Sequence, residues 1–277
     1  MISLTGMPTL TALKVVDATE AKQQDLLRAD RRHARAIEHF ETAIKDVETV
    51  DQLMEDYELY SFVMTAFDLE DQIFGKAMMS KILKSNVEDD KALINRMADP
   101  RFRALYDEMG FGTDGVGNLN TLNQKWRDGM VDRYIDRLYL NDALEQNQTL
   151  GTVLDFRRKV ADLEKPLDVL KDRRMSEFFR TTLGLPAAMA GLDLDRQIGI
   201  LTDRFDFEKL KDPVEVDRMI NRYIAISDAT KGVASVTSGA ITLMQGAVSS
   251  GQRGGGFLPA VIDIAAIQSA GIGYRNR

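Results

Sequence analysis

The feature that most constrains this chain is an internal repeat in its apolar pattern. At a constant offset of 116 residues, positions 44–69 match positions 160–185 without a gap, and Phe62 falls on Phe178. The apolar residues that agree recur at the three- and four-residue spacing of amphipathic helices. Two copies are too few for a solenoid, which needs at least about three repeats. The repeat therefore predicts an all-α, multi-helix bundle with two related helical modules in pseudo-repeat.

Composition around the repeat divides the chain into four predicted parts. The first residues include Gly6 and Pro8 and show no sustained period, so we expect a loose arm. Charged residues become sparse after Lys231, which marks a change in character near the C-terminus. The predicted parts are a loose N-terminal arm at 1–16, a first helical module at 17–142, a second helical module at 143–231, and an apolar Gly/Ala-rich tail at 232–277.

Capping residues mark several predicted helix boundaries. Thr49 stands three residues before Gln52, the spacing of a capping box. Asp99 precedes Pro100, an N-cap followed by proline at the first helical position. Before the tail, no stretch combines sustained alternation with β-branched residues and hairpin turns, so no strand is predicted. The predicted helices cover 17–46, 49–67, 70–84, 89–98, 101–109, 119–141, 149–164, 167–183, 194–204 and 213–230.

Charge and cysteine content narrow the function classes. A formal net charge of −7 argues against nucleic acid as a partner, because proteins that bind it usually concentrate basic residues on one surface. Without cysteine, disulfides and thiolate metal sites are excluded. The first residues lack the basic start and apolar stretch of a secretory signal, and charges and glycines interrupt the tail. We therefore expect neither classical export nor a membrane span.

The motifs that could carry catalysis or bind a cofactor have simpler structural interpretations. Gly110, Gly112 and Gly115 fit the G-x-G-x-x-G expression, but a dinucleotide loop follows a parallel strand, and here a helix precedes it. A connector that supplies positive φ angles is favoured. His33 and His39 are six residues apart and so do not share a helix face as ligands four apart do. The sequence predicts no catalytic residue, cofactor or metal, and we expect a non-enzymatic protein.

Three acidic clusters stand at predicted helix starts. A carboxylate there caps free amides and interacts favourably with the helix dipole, so we expect a structural role. Paired-carboxylate hydrolysis would need two such groups across a cleft, which the sequence does not establish. The clusters are Asp68, Glu70 and Asp71; Glu88, Asp89 and Asp90; and Asp193 and Asp195.

Two surfaces are candidates for binding a partner protein. The first is a basic patch of arginines on one face of the first predicted helix, although acidic neighbours also favour a solvated face with local ion pairs. The second is the apolar tail, which is either free to bind a partner or packed on its own modules. The candidate residues are Arg28, Arg31, Arg32 and Arg35, and Val233, Val236, Leu243, Phe257, Leu258, Ile262 and Ile264.

Short motifs in both halves form a recognisable series. They are Asp51-Gln-Leu-Met-Glu-Asp56, Phe67-Asp-Leu-Glu70, Lys81-Ile-Leu-Lys-Ser85, Asn95-Arg-Met-Ala-Asp-Pro-Arg-Phe102, Leu183-Gly-Leu-Pro186, Asp193-Leu-Asp-Arg-Gln197 and Asn221-Arg-Tyr223. Over residues 35–226 the chain resembles the bacterial family known as domain of unknown function 1217. Members of that family commonly sit among flagellar genes. The resemblance therefore implies a role in flagellar assembly, structure or rotation, with other flagellar proteins as partners.

We therefore expect a non-enzymatic, flagellum-associated structural or assembly protein that acts through protein–protein contacts. Two alternatives stay open. One is a helical small-ligand binder or enzyme with a cleft between the modules, and the other is a cytosolic chaperone of a flagellar subunit. The sequence also leaves open whether the protein forms a homo-oligomer and whether it stays in the cytoplasm or is exported to the flagellum.

Overall fold

The computed structural model describes residues 2–230. The regular secondary structure in this part of the chain is all helical, without a β-strand. One isolated antiparallel bridge joins Thr49 to Val116. The chain divides into two units, Met1–Asp228 and Ala229–Arg277, and both repeat segments lie in the first. No helix within residues 2–230 has both the length and the apolar character that crossing a membrane requires. The predicted all-α fold is confirmed.

Short helices alternate with longer ones along the chain, and several are joined by single residues or single 3₁₀ turns. A final helical segment covers 213–230. The others are α1 Thr9–Ala29, α2 Arg31–Ala43, α3 Val50–Glu55, α4 Tyr57–Ala66, α5 Lys76–Leu83, α6 Leu93–Arg96, α7 Pro100–Met109, α8 Gln124–Gln146, α9 Gln148–Lys159, α10 Pro166–Leu170, α11 Arg173–Thr182 and α12 Leu194–Arg204.

Equivalent elements of the repeat begin and end at equivalent residues. The 3₁₀ turn Ile44–Asp46 corresponds to Val160–Asp162, and α4 corresponds to α11 residue for residue. Each of these two helices follows an aspartate N-cap, Asp56 in the first segment and Asp172 in the second. Residues that are 116 positions apart in these elements therefore have the same type of backbone conformation.

Stacked phenylalanine pairs occupy equivalent places in the two modules. The ring centroids of Phe40 and Phe62 are 4.3 Å apart, and those of Phe156 and Phe178 are 4.0 Å apart. All four rings are buried, so each pair removes a large apolar area from water at the centre of its module. The tyrosines that continue these stacks are Tyr134 and Tyr223.

Two hydrophobic cores follow from this arrangement. The first is formed by residues between 40 and 135, and the second by residues between 139 and 224 together with an N-terminal segment. Leu4, Ala12 and Val16 are almost fully buried in the second core. The N-terminus therefore completes the module from which it is most distant in sequence.

The loose arm predicted at 1–16 is wrong, because α1 begins at Thr9 and the residues before it are docked. Gln146 accepts a hydrogen bond from the backbone amide of Leu4, and the Thr9 hydroxyl donates to Asp228 at 2.8 Å. Pro8 precedes the first helical residue, where its missing amide proton costs nothing. Neighbouring residues give this segment no sustained pattern, but burial against residues distant in sequence orders it.

Three predicted helices are each split in two by an aspartate. Asp30, Asp56 and Asp172 adopt extended conformations and accept hydrogen bonds from backbone amides of the following helix. Each carboxylate satisfies amides that would otherwise lack partners at a helix start. The apolar phase continues across the break, which is why spacing alone predicted one continuous helix. Two other predicted helices are shorter than expected, since α5 begins at Lys76 and α6 spans only Leu93–Arg96.

Candidate functional site at the junction of the two modules

Asp68 follows α4 with φ of 59°, in the left-handed region that non-glycine residues rarely adopt. Its equivalent in the second repeat is Gly184, with φ of 67°. Aspartate tolerates this conformation better than most residues do, because its short polar side chain is locally accommodated. The 3₁₀ turn that follows, Glu70–Gln72, has Leu69 as its N-cap and no side-chain cap. The interpretation of Asp68 as a helix cap is therefore wrong, and its carboxylate instead contacts arginines of both modules.

Three guanidinium groups from different helices surround the Asp68 carboxylate. Arg137 of α8 forms an ion pair with it, and Arg174 of α11 and Arg101 of α7 lie 3.5 Å and 3.8 Å from Oδ2. The side chain of Arg137 is only 9% exposed, and Arg101 also donates to the backbone carbonyl of Asp68. Arginines from both modules thus converge on the Asp68 carboxylate.

The ion pairs continue into the second module in alternating sign. Arg174 donates to Asp155 at 2.9 Å, and Asp155 is also 3.0 Å from the Lys159 ammonium. Lys159 in turn lies 2.6 Å from Asp172, the residue that caps α11. Because Asp155 is 2% exposed, its charge is balanced by cations and not by water. We call this set of seven side chains the junction network: Asp68, Arg101, Arg137, Asp155, Lys159, Asp172 and Arg174.

Burial and neighbouring charges shift the pKa values of the junction network in opposite directions. Burial raises the pKa of Asp68, although the cations around it oppose the rise. Burial likewise lowers the pKa of Arg137, while Asp68 opposes that change. At Asp172 burial also favours the neutral acid, but Lys159 and the amides of α11 outweigh it and hold the pKa below its usual value. At the Asp68–Arg137 pair, the cost of burying the two charges therefore offsets the attraction between them.

A cleft of about 740 Å³ opens beside the junction network, and a second one of about 840 Å³ lies along α11. Asp68, Arg101, Lys159 and Asp172 line both. Within residues 2–230 no three acidic or histidine side chains are grouped as metal ligands. Acidic and basic side chains alternate along the walls of the cleft of about 740 Å³, so its electrostatics favour neither an anionic nor a cationic ligand.

The four arginines predicted to form one basic patch are separated by the helix break at Asp30. Arg28, on α1, is paired with Asp132 at 2.6 Å. Arg32 lies 3.8 Å from Asp30, and Arg35 lies 3.6 Å from Glu58. The patch on a single helical face is therefore wrong, because the break turns the chain between its first and second members. Arg31, the remaining member, is exposed on α2.

The histidines contact groups within their own module. His33 Nδ1 is 3.2 Å from the Tyr134 hydroxyl, and burial lowers the pKa of this imidazole. His39 Nε2 is 2.7 Å from Asp56, the cap of α4. The tail candidates lie outside the described residues: Val233, Val236, Leu243, Phe257, Leu258, Ile262 and Ile264.

The glycine-rich segment after α7 is a connector, as predicted. Gly110 ends the helix with φ of 64°, in the left-handed conformation typical of a glycine C-cap. A Cβ on Gly115 would lie 2.7 Å from Val50, so this turn is also packed tightly against α3. The segment brings three apolar side chains to the surface, namely Val116, Leu119 and Leu122.

Sequence reasoning missed the junction network because its members are far apart in the chain. The partners of Asp68 include Arg101 and Arg174, 33 and 106 residues away. One local signal did exist. The repeat places Asp68 opposite Gly184, and a position shared by glycine and aspartate indicates a left-handed backbone.

The part of the chain that contains the junction network matches a known protein family. The family model described as a protein of unknown function, DUF1217, matches residues 66–216. The chain belongs to this family. All seven side chains of the junction network lie within the DUF1217 match, whereas α1 and α2 precede it.

The fold is similar to that of a solved structure. An X-ray crystal structure of a protein from Agrobacterium tumefaciens aligns with a TM-score of 0.70 and 25% sequence identity. The alignment covers 82% of this chain and 96% of that one. The comparison with curated proteins gives no match. The DUF1217 chain thus shares its helical architecture with the Agrobacterium protein.

Proposed function

We propose that this DUF1217 protein is a non-enzymatic structural or assembly protein that acts through protein–protein contacts at the bacterial flagellum. The observation that carries the proposal is an apolar patch on the connector between α7 and α8. Leu119 is 83% exposed, Leu122 63% and Val116 61%, within seven residues of one another. Single exposed apolar residues are ordinary on a protein surface, but a cluster of large ones marks a contact site for another protein.

The patch is held on an ordered support. Gly117 donates its backbone amide to the carbonyl of Glu48 at 2.8 Å, and Leu122 donates to the carbonyl of Leu119 at 3.3 Å. The backbone that carries these side chains is therefore ordered before binding, which lowers the entropic cost of binding. A rigid apolar surface on a body with internally paired charges suits a structural or assembly role.

The flagellar part of the proposal is supported by the family resemblance, since related proteins are commonly encoded among flagellar genes. Gene context is an associational argument and is weaker than a site. Its test is affinity purification of the tagged full chain from a flagellated host, followed by mass spectrometry of cell bodies and sheared filaments. Recovery with flagellar subunits supports the proposal. Recovery with metabolic enzymes alone contradicts it.

A matched pair of variants tests the apolar patch itself. Leu119→Ser with Leu122→Ser removes two exposed apolar side chains and should abolish capture of the partner without changing the helical content. The control is Leu10→Ser with Leu26→Ser, which removes leucines that are 46% and 55% exposed on α1. Equal partner capture by both variants and wild type would overturn the assignment of the patch.

A second candidate function is a small-ligand binder or enzyme that uses the cleft between the modules. The volume of about 740 Å³ is in the usual range for such sites, and the raised pKa of Asp68 is a feature shared with many of them. Thermal unfolding in the presence of a library of charged small molecules tests it. A ligand that raises the midpoint in wild type but not in Arg101→Ala would favour this function.

A further inference from the structure

The two repeats differ on one face of equivalent helices. In α4 the side chains of Tyr60 and Met64 are buried, with exposed fractions of 1% and 0%. Their equivalents in α11 are Ser176 and Arg180, which are only partly covered. Serine is much smaller than tyrosine, and arginine cannot replace methionine in a dry core. The face of α4 that the first module closes internally is therefore open in the second.

A groove of about 330 Å³ occupies the corresponding place beside α11. Its other wall is formed by the turn Ala187–Gly191 and by α12. It shares Leu170, Arg173 and Glu177 with the lining of the larger cleft along α11, so the two adjoin. The apolar side chains that line the groove are Leu170, Met189, Ala190 and Leu201.

The basic residues along this groove lack partners of opposite charge. None of the ion pairs among residues 2–230 involves Arg173 or Arg180, and Glu177 is the acidic residue in the groove lining. The groove thus combines an apolar floor with excess positive charge. Such a surface fits an amphipathic segment that carries carboxylates beside an apolar anchor.

The first module presents such a segment at equivalent positions of the repeat. Lys171, Arg173 and Arg174 correspond to Glu55, Tyr57 and Glu58. Tyr57 is 55% exposed at the start of α4, with the carboxylates on either side of it. Glu55 takes part in none of the ion pairs described for residues 2–230, whereas Glu58 lies 3.6 Å from Arg35 and 4.0 Å from His39 at the surface. The charges of the two faces are complementary.

We propose that the groove beside α11 binds a second copy of this chain through residues 55–58 of that copy. The Tyr57 ring then enters the groove over its apolar floor, and Glu55 and Glu58 face Arg173 and Arg180. This narrows the protein-contact role proposed above to one partner, but it does not depend on the flagellar association or on the apolar patch. Like charges repel, so the contact joins unlike faces, the segment of one copy and the groove of the other.

Contacts between unlike faces have a distinctive consequence for assembly. Each copy has one face that gives and one that receives, so association either continues from copy to copy or closes reciprocally about a two-fold axis. A variant that has lost only one face retains the other. Two such variants, each unable to associate with itself, therefore pair with each other and stop at a heterodimer.

The test is sedimentation velocity of the full-length chain over a range of concentrations at low and high salt. Wild type should self-associate, and association should weaken with salt because the contact is charged. Variant one carries Glu55→Lys and Tyr57→Ala, and variant two carries Arg173→Glu and Arg180→Glu. Each alone should lose at least about tenfold in self-association constant, and their equimolar mixture should form a heterodimer.

The control for altered surface charge is Lys22→Glu, an exposed change on α1, which should associate as wild type does. Far-ultraviolet circular dichroism checks that each variant keeps its helices. A wild-type chain that stays monomeric, association unaffected by either variant, or a mixture that gives no heterodimer would each overturn the proposal. Partner capture by the Leu119/Leu122 patch is measured separately, so failure here does not refute the broader contact role.

Discussion

Replacing Asp172 separates two contributions that this residue makes to stability. Its Oδ1 accepts from the amides of Arg174 and Met175 at 2.8 Å and 3.2 Å, and Oδ2 lies 2.6 Å from the Lys159 ammonium. Asp172→Ala removes both functions, and Asp172→Ser keeps a side-chain cap but removes the charge. The N-cap contributes about 1 kcal/mol and the hydrogen bond to a charged donor about 1.5 kcal/mol. We therefore expect losses of about 2.5 and about 1.5 kcal/mol.

Urea unfolding followed by circular dichroism measures both losses, and a thermal scan should show about 2–4 °C per kcal/mol. The equivalent cap, Asp56, is the matched position, since it accepts from Leu59 at 2.9 Å and pairs with His39 at 2.7 Å. Asp56→Ala should cost less than Asp172→Ala, because Asp56 caps one backbone amide whereas Asp172 caps two. Equal losses for Asp172→Ser and Asp172→Ala would refute the assigned cap.

The pH dependence gives an independent check. The folded pKa of Asp172 lies below its value in the unfolded chain, so the carboxylate contributes fully above the unfolded pKa of about 4. Its contribution is lost as the pH falls through the lower, folded pKa. The difference in unfolding free energy between wild type and Asp172→Ala should therefore be constant from neutral pH to about pH 5 and shrink in stronger acid. A difference that grows on acidification would contradict this.

Three further substitutions have distinct expected outcomes. Burial raises the pKa of Asp68, so this acid contributes less to stability as the pH rises. In urea unfolding, the unfolding free energy of Asp68→Asn should therefore increase relative to that of wild type between about pH 4 and pH 7. Gly129→Ala in α8 meets no atom within 4 Å and should raise the unfolding free energy by about 0.5–1 kcal/mol. Gly151→Ala would place Cβ 2.5 Å from Leu144 and should lower it by about 1–3 kcal/mol, by the same assay.

The parts of the fold that the sequence predicted correctly depend on local signals. Thr49 and Gln52 form the expected capping box, and Asp99 caps α7 ahead of Pro100. Capping acts over three residues, so the pattern can be read directly from neighbours in the chain. The predicted helix at 194–204 also begins and ends as expected.

The parts that were missed depend on contacts between distant residues. At Asp56 the backbone leaves the helical conformation for one residue, and the apolar spacing on either side hardly changes. The junction network joins four helices and the turn at Asp68, and no periodicity relates those positions. The groove beside α11 has no local signal in the sequence, since serine and arginine at positions 176 and 180 are ordinary residues for the surface of a helix.

The docking of the N-terminal segment into the second core has a consequence for synthesis on the ribosome. Ala12 and Val16 are made first, but the residues that cover them lie between 139 and 224. At about 5–20 residues per second, the ribosome needs tens of seconds to reach Tyr223. During that interval the first module can fold while α1 keeps its apolar face uncovered. The nascent chain therefore has to shield this helix, through a chaperone or a temporary contact, until the last helices emerge.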